Sequence, residues 1–164
     1  MKKYEFTGET KEIRLLFRTA TLHRIRATVA FGIVEVGDLG GWIEKEENLS
    51  HEGKAWVWGN AEVWGNAKVC GDAEVWGNAK VCGDAEVFLA SHVLVMGSVG
   101  SRNDFTTFFR DKDNEITVKC GCFLGKIDKF LEKVTQTHGN NKYALVYRAA
   151  VEVAKLQIEL TERK

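Results

Sequence analysis

The chain predicts a mainly β protein assembled from very short strands stacked at a fixed period, with an N-terminal β cap and a C-terminal ββαα appendage. Three observations carry this. The segment AEVWGNAKVCGDAEVWGNAKVCGDAEV, residues 61 to 87, repeats A-x-V-x-G-[N/D] every six residues. The 16 glycines and the absence of proline leave Gly, Asn and Asp to make the bends. The last third of the chain trades the repeat for two strand-like runs followed by two helical ones.

The repeat is justified first. Ala recurs at Ala55, Ala61, Ala67, Ala73, Ala79 and Ala85, and Val two places later from Val57 to Val87. Positions two apart in a strand share a face. Ala and Val therefore face one way, and the residues between them the other. Gly59-Asn60 through Gly83-Asp84 follow as bends, because Gly adopts positive φ freely and Asn and Asp tolerate it. One such unit cannot bury its apolar face alone and must stack on copies of itself.

The V-x-G-[N/D]-A-x hexad resembles that of the hexapeptide-repeat proteins, the left-handed parallel β-helices. The resemblance implies three hexads per triangular coil of 18 residues, with Val filling the interior and Ala at the tight positions. Looser matches at Ser91-His92-Val93, at Leu49 and Gly53, and at Leu39 and Gly41 extend the expectation to about three coils over residues 37–96. An 18-residue coil stacks Trp58 over Trp76, Trp64 over Cys82 and Cys70 over Phe88, all pointing outward. Such an apolar surface needs covering, by the chain's own ends or by other subunits. The resemblance implies a homotrimer, with Trp58, Trp64, Trp76 and Phe88 at the oligomer interface. An aromatic platform for a planar ligand is the alternative use of the same residues.

Residues 1–36 do not repeat. Their β-rich stretches, including Thr28-Val29-Ala30-Phe31 and Ile33-Val34-Glu35-Val36, read as a cap on the first coil. Residues 97–164 form the appendage. Phe105 to Arg110 and Ile116 to Cys120 are strands joined by the loop Asp111-Lys112-Asp113-Asn114-Glu115. Ile127, Phe130, Leu131 and Val134 follow helical spacing, and Gly139-Asn140-Asn141 stops that helix. A second helix is expected from about Lys142 to Leu160. The full arrangement resembles a phage- and prophage-encoded group of mostly unassigned function, through GDLGGWIEKEENLSHEG (37 to 53), the hexad array, GSRNDFTTFFRDKDNEITVKCGCFLG (100 to 125) and THG (137 to 139).

Composition narrows function. Lys plus Arg and Asp plus Glu both number 23, so the formal net charge is zero. An extended nucleic-acid or membrane footprint would show a basic excess. No apolar run reaches the roughly 20 residues of a membrane span, and the N-terminus lacks a signal-peptide stretch. The expectation is a cytoplasmic protein of a bacterial host cell, with Cys70, Cys82, Cys120 and Cys122 reduced.

The candidate chemistry clusters in the appendage. Ser101, Arg102, Asn103, Thr106, Thr107 and Arg110 fall within ten residues, and His138, Lys142 and Tyr143 can close over them if the helix linker folds back. Arg offers a planar fork for phosphate or carboxylate, supported by hydroxyls and free backbone N–H groups. These nine residues are the predicted ligand-binding set, for a small anion such as a nucleotide. No Walker-type or dinucleotide fingerprint accompanies them. Cys120-Gly121-Cys122 with His138 supplies three soft ligands, one short of a closed structural zinc site. The metal and cofactor expectation is therefore none, and two small residues in a tight turn is the plain reading.

The functional expectation is a non-enzymatic, oligomeric binding protein of phage type. By analogy with the phage setting, it sequesters a nucleotide-like ligand such as a host-defence signal. Two alternatives stand beside it. One is an acyltransferase of the hexapeptide-repeat class, with His51 or His92 as base; the uninterrupted array from Ala55 to Val87 speaks against that. The other is a structural or assembly protein that docks a partner.

Overall fold

The computed structural model describes residues 1–160. The strands in chain order are β1 (Tyr4–Arg14), β2 (Thr19–Ala27), β3 (Leu39–Ile43), β4 (Trp56–Val57), β5 (Glu62–Val63), β6 (Lys68–Val69), β7 (Glu74–Val75), β8 (Lys80–Val81) and β9 (Glu86–Val87). They continue as β10 (Val93–Val99), β11 (Asp104–Arg110), β12 (Ile116–Cys120) and β13 (Phe123–Lys126), and helices α1 (Ile127–His138) and α2 (Lys142–Gln157) close the chain. No helix among the described residues is long and apolar enough to cross a membrane.

The hexads make strands of only two residues each, because Gly with positive φ at positions 59, 65, 71, 77 and 83 turns the backbone after every Val-x pair. They pair in parallel with residues 18 further on: Trp56 opposite Glu74, Glu62 opposite Lys80, Lys68 opposite Glu86. The Ala and Val of every hexad are buried, forming one apolar column that Leu49, Trp56 and Phe109 complete. Trp58 lies flat on Trp76, with ring centroids 4.4 Å apart and planes 3° from parallel.

The expected left-handed parallel β-helix of about three coils, with a separate N-terminal cap and a ββαα appendage, is corrected by this structure. The molecule is mainly β with several small separate sheets, none closed or solenoid-like, and two C-terminal helices. One sheet has five strands in the order β1-β2-β3-β5-β8, another has four in the order β10-β11-β12-β13, and two are bare two-stranded pairs, β4-β7 and β6-β9.

Three physical causes account for the difference. Two-residue strands carry too few hydrogen bonds to merge into a continuous wall. The register slips before the array: Trp42 pairs with Glu62 and Leu49 bridges to Val69, each 20 residues on rather than 18, so the regular period does not reach back to residue 37. The N-terminal segment also builds into a sheet while packing Tyr4, Ile25, Ala27 and Val34 on the Ala/Val column. β1 and β2 form a long antiparallel hairpin whose second strand pairs with β3 and so extends the sheet sideways.

The C-terminal unit differs in the same way. Val93–Val99, read partly as a fading seventh hexad, is β10; it pairs antiparallel with β11 and gives four strands instead of two. Alternation along β11 divides its side chains between two cores. Phe108 packs with Ile116, Val118, Phe130 and Tyr147 on the helix side, while Phe109 joins the Ala/Val column. The loop of residues 111–115 is held by buried Asp111, which accepts hydrogen bonds from the backbone N–H of Asp113 and Glu115, from Thr117 Oγ1 and from Lys126 Nζ. Gly139 caps α1 with φ +61°, and the Asn141 side chain accepts from the N–H groups of Tyr143 and Ala144 to start α2.

Candidate functional site

A cleft opens where three pieces of the C-terminal unit meet: the turn of residues 100–103 between β10 and β11, the two-residue hairpin turn Gly121-Cys122 between β12 and β13, and the facing sides of α1 and α2. Its volume is about 130 Å³. Each wall follows from local sequence. Asn103 N–H donates to Gly100 O at 3.1 Å and closes the first turn. The register Cys120 opposite Phe123 makes the second. Phe130, Val134 and His138 recur every four residues and so share one face of α1, with Lys133 and Thr137 beside them.

Ser101, Arg102 and His138 come together there. Ser101 Oγ lies 3.4 Å from His138 Nε2. The His138 ring packs at 5.8 Å from both Tyr147 and Tyr143, nearly parallel to the first at 25°. Arg102 lies across Gly121, where a Cβ would sit 3.0 Å from Nη1. Lys133 adds a second cation, and among the described residues no Asp or Glu lines the cleft. The arrangement pairs a fixed positive charge with an aromatic shelf and a hydroxyl, which suits one anionic group and one planar ring.

The other predicted residues fall elsewhere. Asn103, with φ +50°, serves the turn and does not line the cleft. Thr106 is buried behind it, donating its hydroxyl to Cys120 Sγ at 3.4 Å. Thr107, one residue on, faces the opposite side and accepts the Lys80 N–H at 3.0 Å. Arg110 ties the four-stranded sheet to the hexads: Nη1 donates to Glu86 O at 2.8 Å, Nε donates to Asn114 Oδ1, and the guanidinium covers the Phe88 ring at 4.9 Å. Lys142 is exposed, its ammonium 5.6 Å from the Tyr143 ring, and neither side chain lines the cleft.

Sequence reasoning missed Lys133, Thr137, Phe123, Phe130 and Tyr147 as wall residues. The signal that could have found them is the i, i+4 stripe Phe130-Val134-His138, which brings a histidine already singled out onto the face that Lys133 and Thr137 flank.

Among the predicted interface residues, Trp64 is 5% exposed beneath the chain's own β1–β2 hairpin, packed with Leu22, Trp42 and Cys82. Phe88 is half-buried under Arg110. Trp76 remains 46% exposed over Trp58. All four cysteines are free, and burial pushes the Cys82 thiol up to about 12. Cys120 and Cys122 line the cleft with His138, but among the described residues no group of His, Cys, Asp or Glu is arranged to hold a metal ion.

The histidines of the acyl-transfer alternative are engaged in the backbone. His51 Nδ1 accepts the Lys3 N–H at 3.0 Å, and His92 Nδ1 accepts from Phe88 and Leu89 at 3.1 and 3.3 Å. Burial holds both imidazoles below the usual histidine range, with Arg110 adding to the effect at His92. No protein-family model matches the chain, and no curated protein matches it.

Proposed function

We propose that the protein binds a small anionic ligand at the cleft between residues 101–102, the Cys120–Phe123 turn and the two helices, and releases it chemically unchanged. The observation that supports this is the cleft's charge pattern: Arg102 and Lys133 face it, and among the described residues no carboxylate lines its walls. Its volume is close to the roughly 150 Å³ of an apolar cavity that holds one benzene. The cleft therefore grips one part of a larger molecule. An anionic phosphate sits against Arg102, Lys133 and Ser101, and a planar base lies against the His138–Tyr147 pair. A nucleotide has both parts.

Copies of the chain associate through Trp76, which stacks on Trp58 and stands 46% exposed. Sequestration by a multivalent oligomer then needs no turnover, only a slow off-rate.

Titration calorimetry with ATP, ADP, a cyclic mononucleotide and unphosphorylated adenosine tests the reading. Saturable binding of phosphorylated members, weakened at least about tenfold by Arg102→Glu, is expected, since one charge-assisted contact is worth roughly 1.5–3 kcal/mol. Chromatography of the mixture should recover the ligand intact. Binding that survives both Arg102→Glu and Lys133→Glu overturns the site, and conversion of the ligand overturns the non-enzymatic reading.

A further inference from the structure

A second concave surface lies outside the cleft, between the tip of the β1–β2 hairpin and the β12–β13 turn. Two adjoining hollows of about 410 and 390 Å³ share Leu15, Leu16, Trp64, Lys119 and Cys122. Each falls in the size range of small-molecule sites, about 300–1,000 Å³. The floor is apolar: the Trp64 ring, Leu15 and the half-exposed Leu124. At the lip, Leu16 and Phe17 stand 81% and 94% exposed.

Charge decides what fits. Arg14, Lys80 and Lys119 all line the first hollow. Among the described residues neither Arg14 nor Lys80 has a side-chain partner, and Lys119 Nζ donates only to the Gly121 carbonyl. The single acid there, Glu62, is taken by Lys11 at 2.6 Å. Arg18, at the far lip, is likewise taken by Glu44. An apolar floor with three uncompensated cations along one side is complementary to a molecule carrying an apolar body and an anionic head.

We infer that this groove is a binding site for a small amphipathic organic anion, with its apolar body on Leu15, Leu16 and Leu124 above the edge of Trp64 and its carboxylate, sulfonate or phosphate against Lys119, Lys80 and Arg14. The inference stands independently of the anion cleft, because the charged residues of the two do not overlap. A second copy of the chain fits less well: an isologous contact sets a patch against itself, and would bring two cationic sides together.

The test uses the full chain and two fluorescent probes with nearly the same rings. One is 8-anilinonaphthalene-1-sulfonate, and the other is its uncharged counterpart N-phenyl-1-naphthylamine. The expected result is one saturable sulfonate site per chain, with the neutral probe several-fold weaker. Lys80→Glu alone should weaken the sulfonate about fivefold and Lys80→Glu/Lys119→Glu at least about tenfold, as expected when charge complementarity is reversed. Lys80 lies opposite Glu62 and Lys119 donates to the Gly121 carbonyl, so the variants should melt slightly earlier but as cooperatively as wild type, and Arg102→Glu should leave the sulfonate affinity as it was.

Equal affinity for the two probes, or affinity indifferent to both lysine variants, overturns the proposal. So does loss of the sulfonate in Arg102→Glu, which would place the probe in the cleft. Flotation of the protein with phosphatidylglycerol vesicles, abolished by Phe17→Ser, would reassign the surface to a membrane. A sedimentation change with protein concentration that Phe17→Ser removes would reassign it to a second copy.

Discussion

Replacing Gly100 by Ala tests how the turn above the cleft is seated. Gly100 has φ +81°, where an L side chain is strained by about 1–2 kcal/mol. An added Cβ would also sit 2.0 Å from the Tyr147 hydroxyl oxygen and 2.2 Å from the ring carbon that bears it. That ring cannot swing aside. Tyr147 is 5% exposed, edge-on to Phe130 at 5.7 Å and packed on His138. Overpacking of this kind costs about 1–3 kcal/mol. The total of roughly 2–5 kcal/mol corresponds to a melting temperature lower by about 5–15 °C for a chain of this size.

Gly139→Ala is the control. Its φ is +61°, but nothing lies within 4 Å of the added carbon, so it bears the backbone strain alone. Thermal unfolding followed by circular dichroism should rank Gly100→Ala well below Gly139→Ala, and only the former should weaken anion binding. Equal losses in the two variants would refute the contact between the turn and α2.

Other outcomes follow from the same structure. Trp64→Ala should cost about 3–5 kcal/mol as a buried aromatic, whereas Trp76→Ala should cost under about 1.5 kcal/mol in the monomer; chemical denaturation separates them. With its pKa near 12, Cys82 should resist a disulfide reagent in the native protein while the exposed Cys122 reacts first; Trp64→Ala should unmask Cys82. Arg110→Ala should lower stability by about 2–3 kcal/mol by stripping the Glu86 carbonyl and the Phe88 ring of their partner, and leave anion affinity intact. His51 and His92 both hold folded-state values below 6.5, so the unfolded chain takes up protons first. Stability present above about pH 6.5 is then lost as pH falls through that value toward the folded-state ones. His92 faces Arg110 and Glu159. His92→Asn, whose side-chain oxygen can still accept the two backbone N–H groups, should flatten the fall in melting temperature between pH 6.5 and 5; an unchanged slope would show that His92 does not contribute.

The local periods were legible in the sequence; their assembly into sheets was not. The six-residue spacing is strong enough to place Trp58 over Trp76 and to bury every Val from 57 to 87, because a Val two places after each Ala leaves no other face for it. Gly139 and Asn141 marked the helix boundary by their caps. The handed, three-coil solenoid was read from resemblance, and it failed where the residues stopped obeying the period: two extra residues enter the register before Ala55, and Val93–Val99 is a continuous strand paired antiparallel with β11 instead of a further hexad. Cover of these faces by the chain's own ends was one of two readings; that the β1–β2 hairpin supplies it over Trp64 could not be read, because the hairpin is distant in sequence and carries no repeat. Ser101, Arg102 and His138, grouped by residue type, do lie together in the cleft. Thr107 and Arg110 were misassigned because clustering in sequence ignores the alternation of a strand, which sends neighbours to opposite faces.

Calorimetric titration of a phosphorylated nucleotide into wild type and into Arg102→Glu tests the central claim most directly. The account predicts a saturable site in the first and a loss of at least about tenfold in the second, with the melting curve unchanged. Indistinguishable isotherms would contradict it.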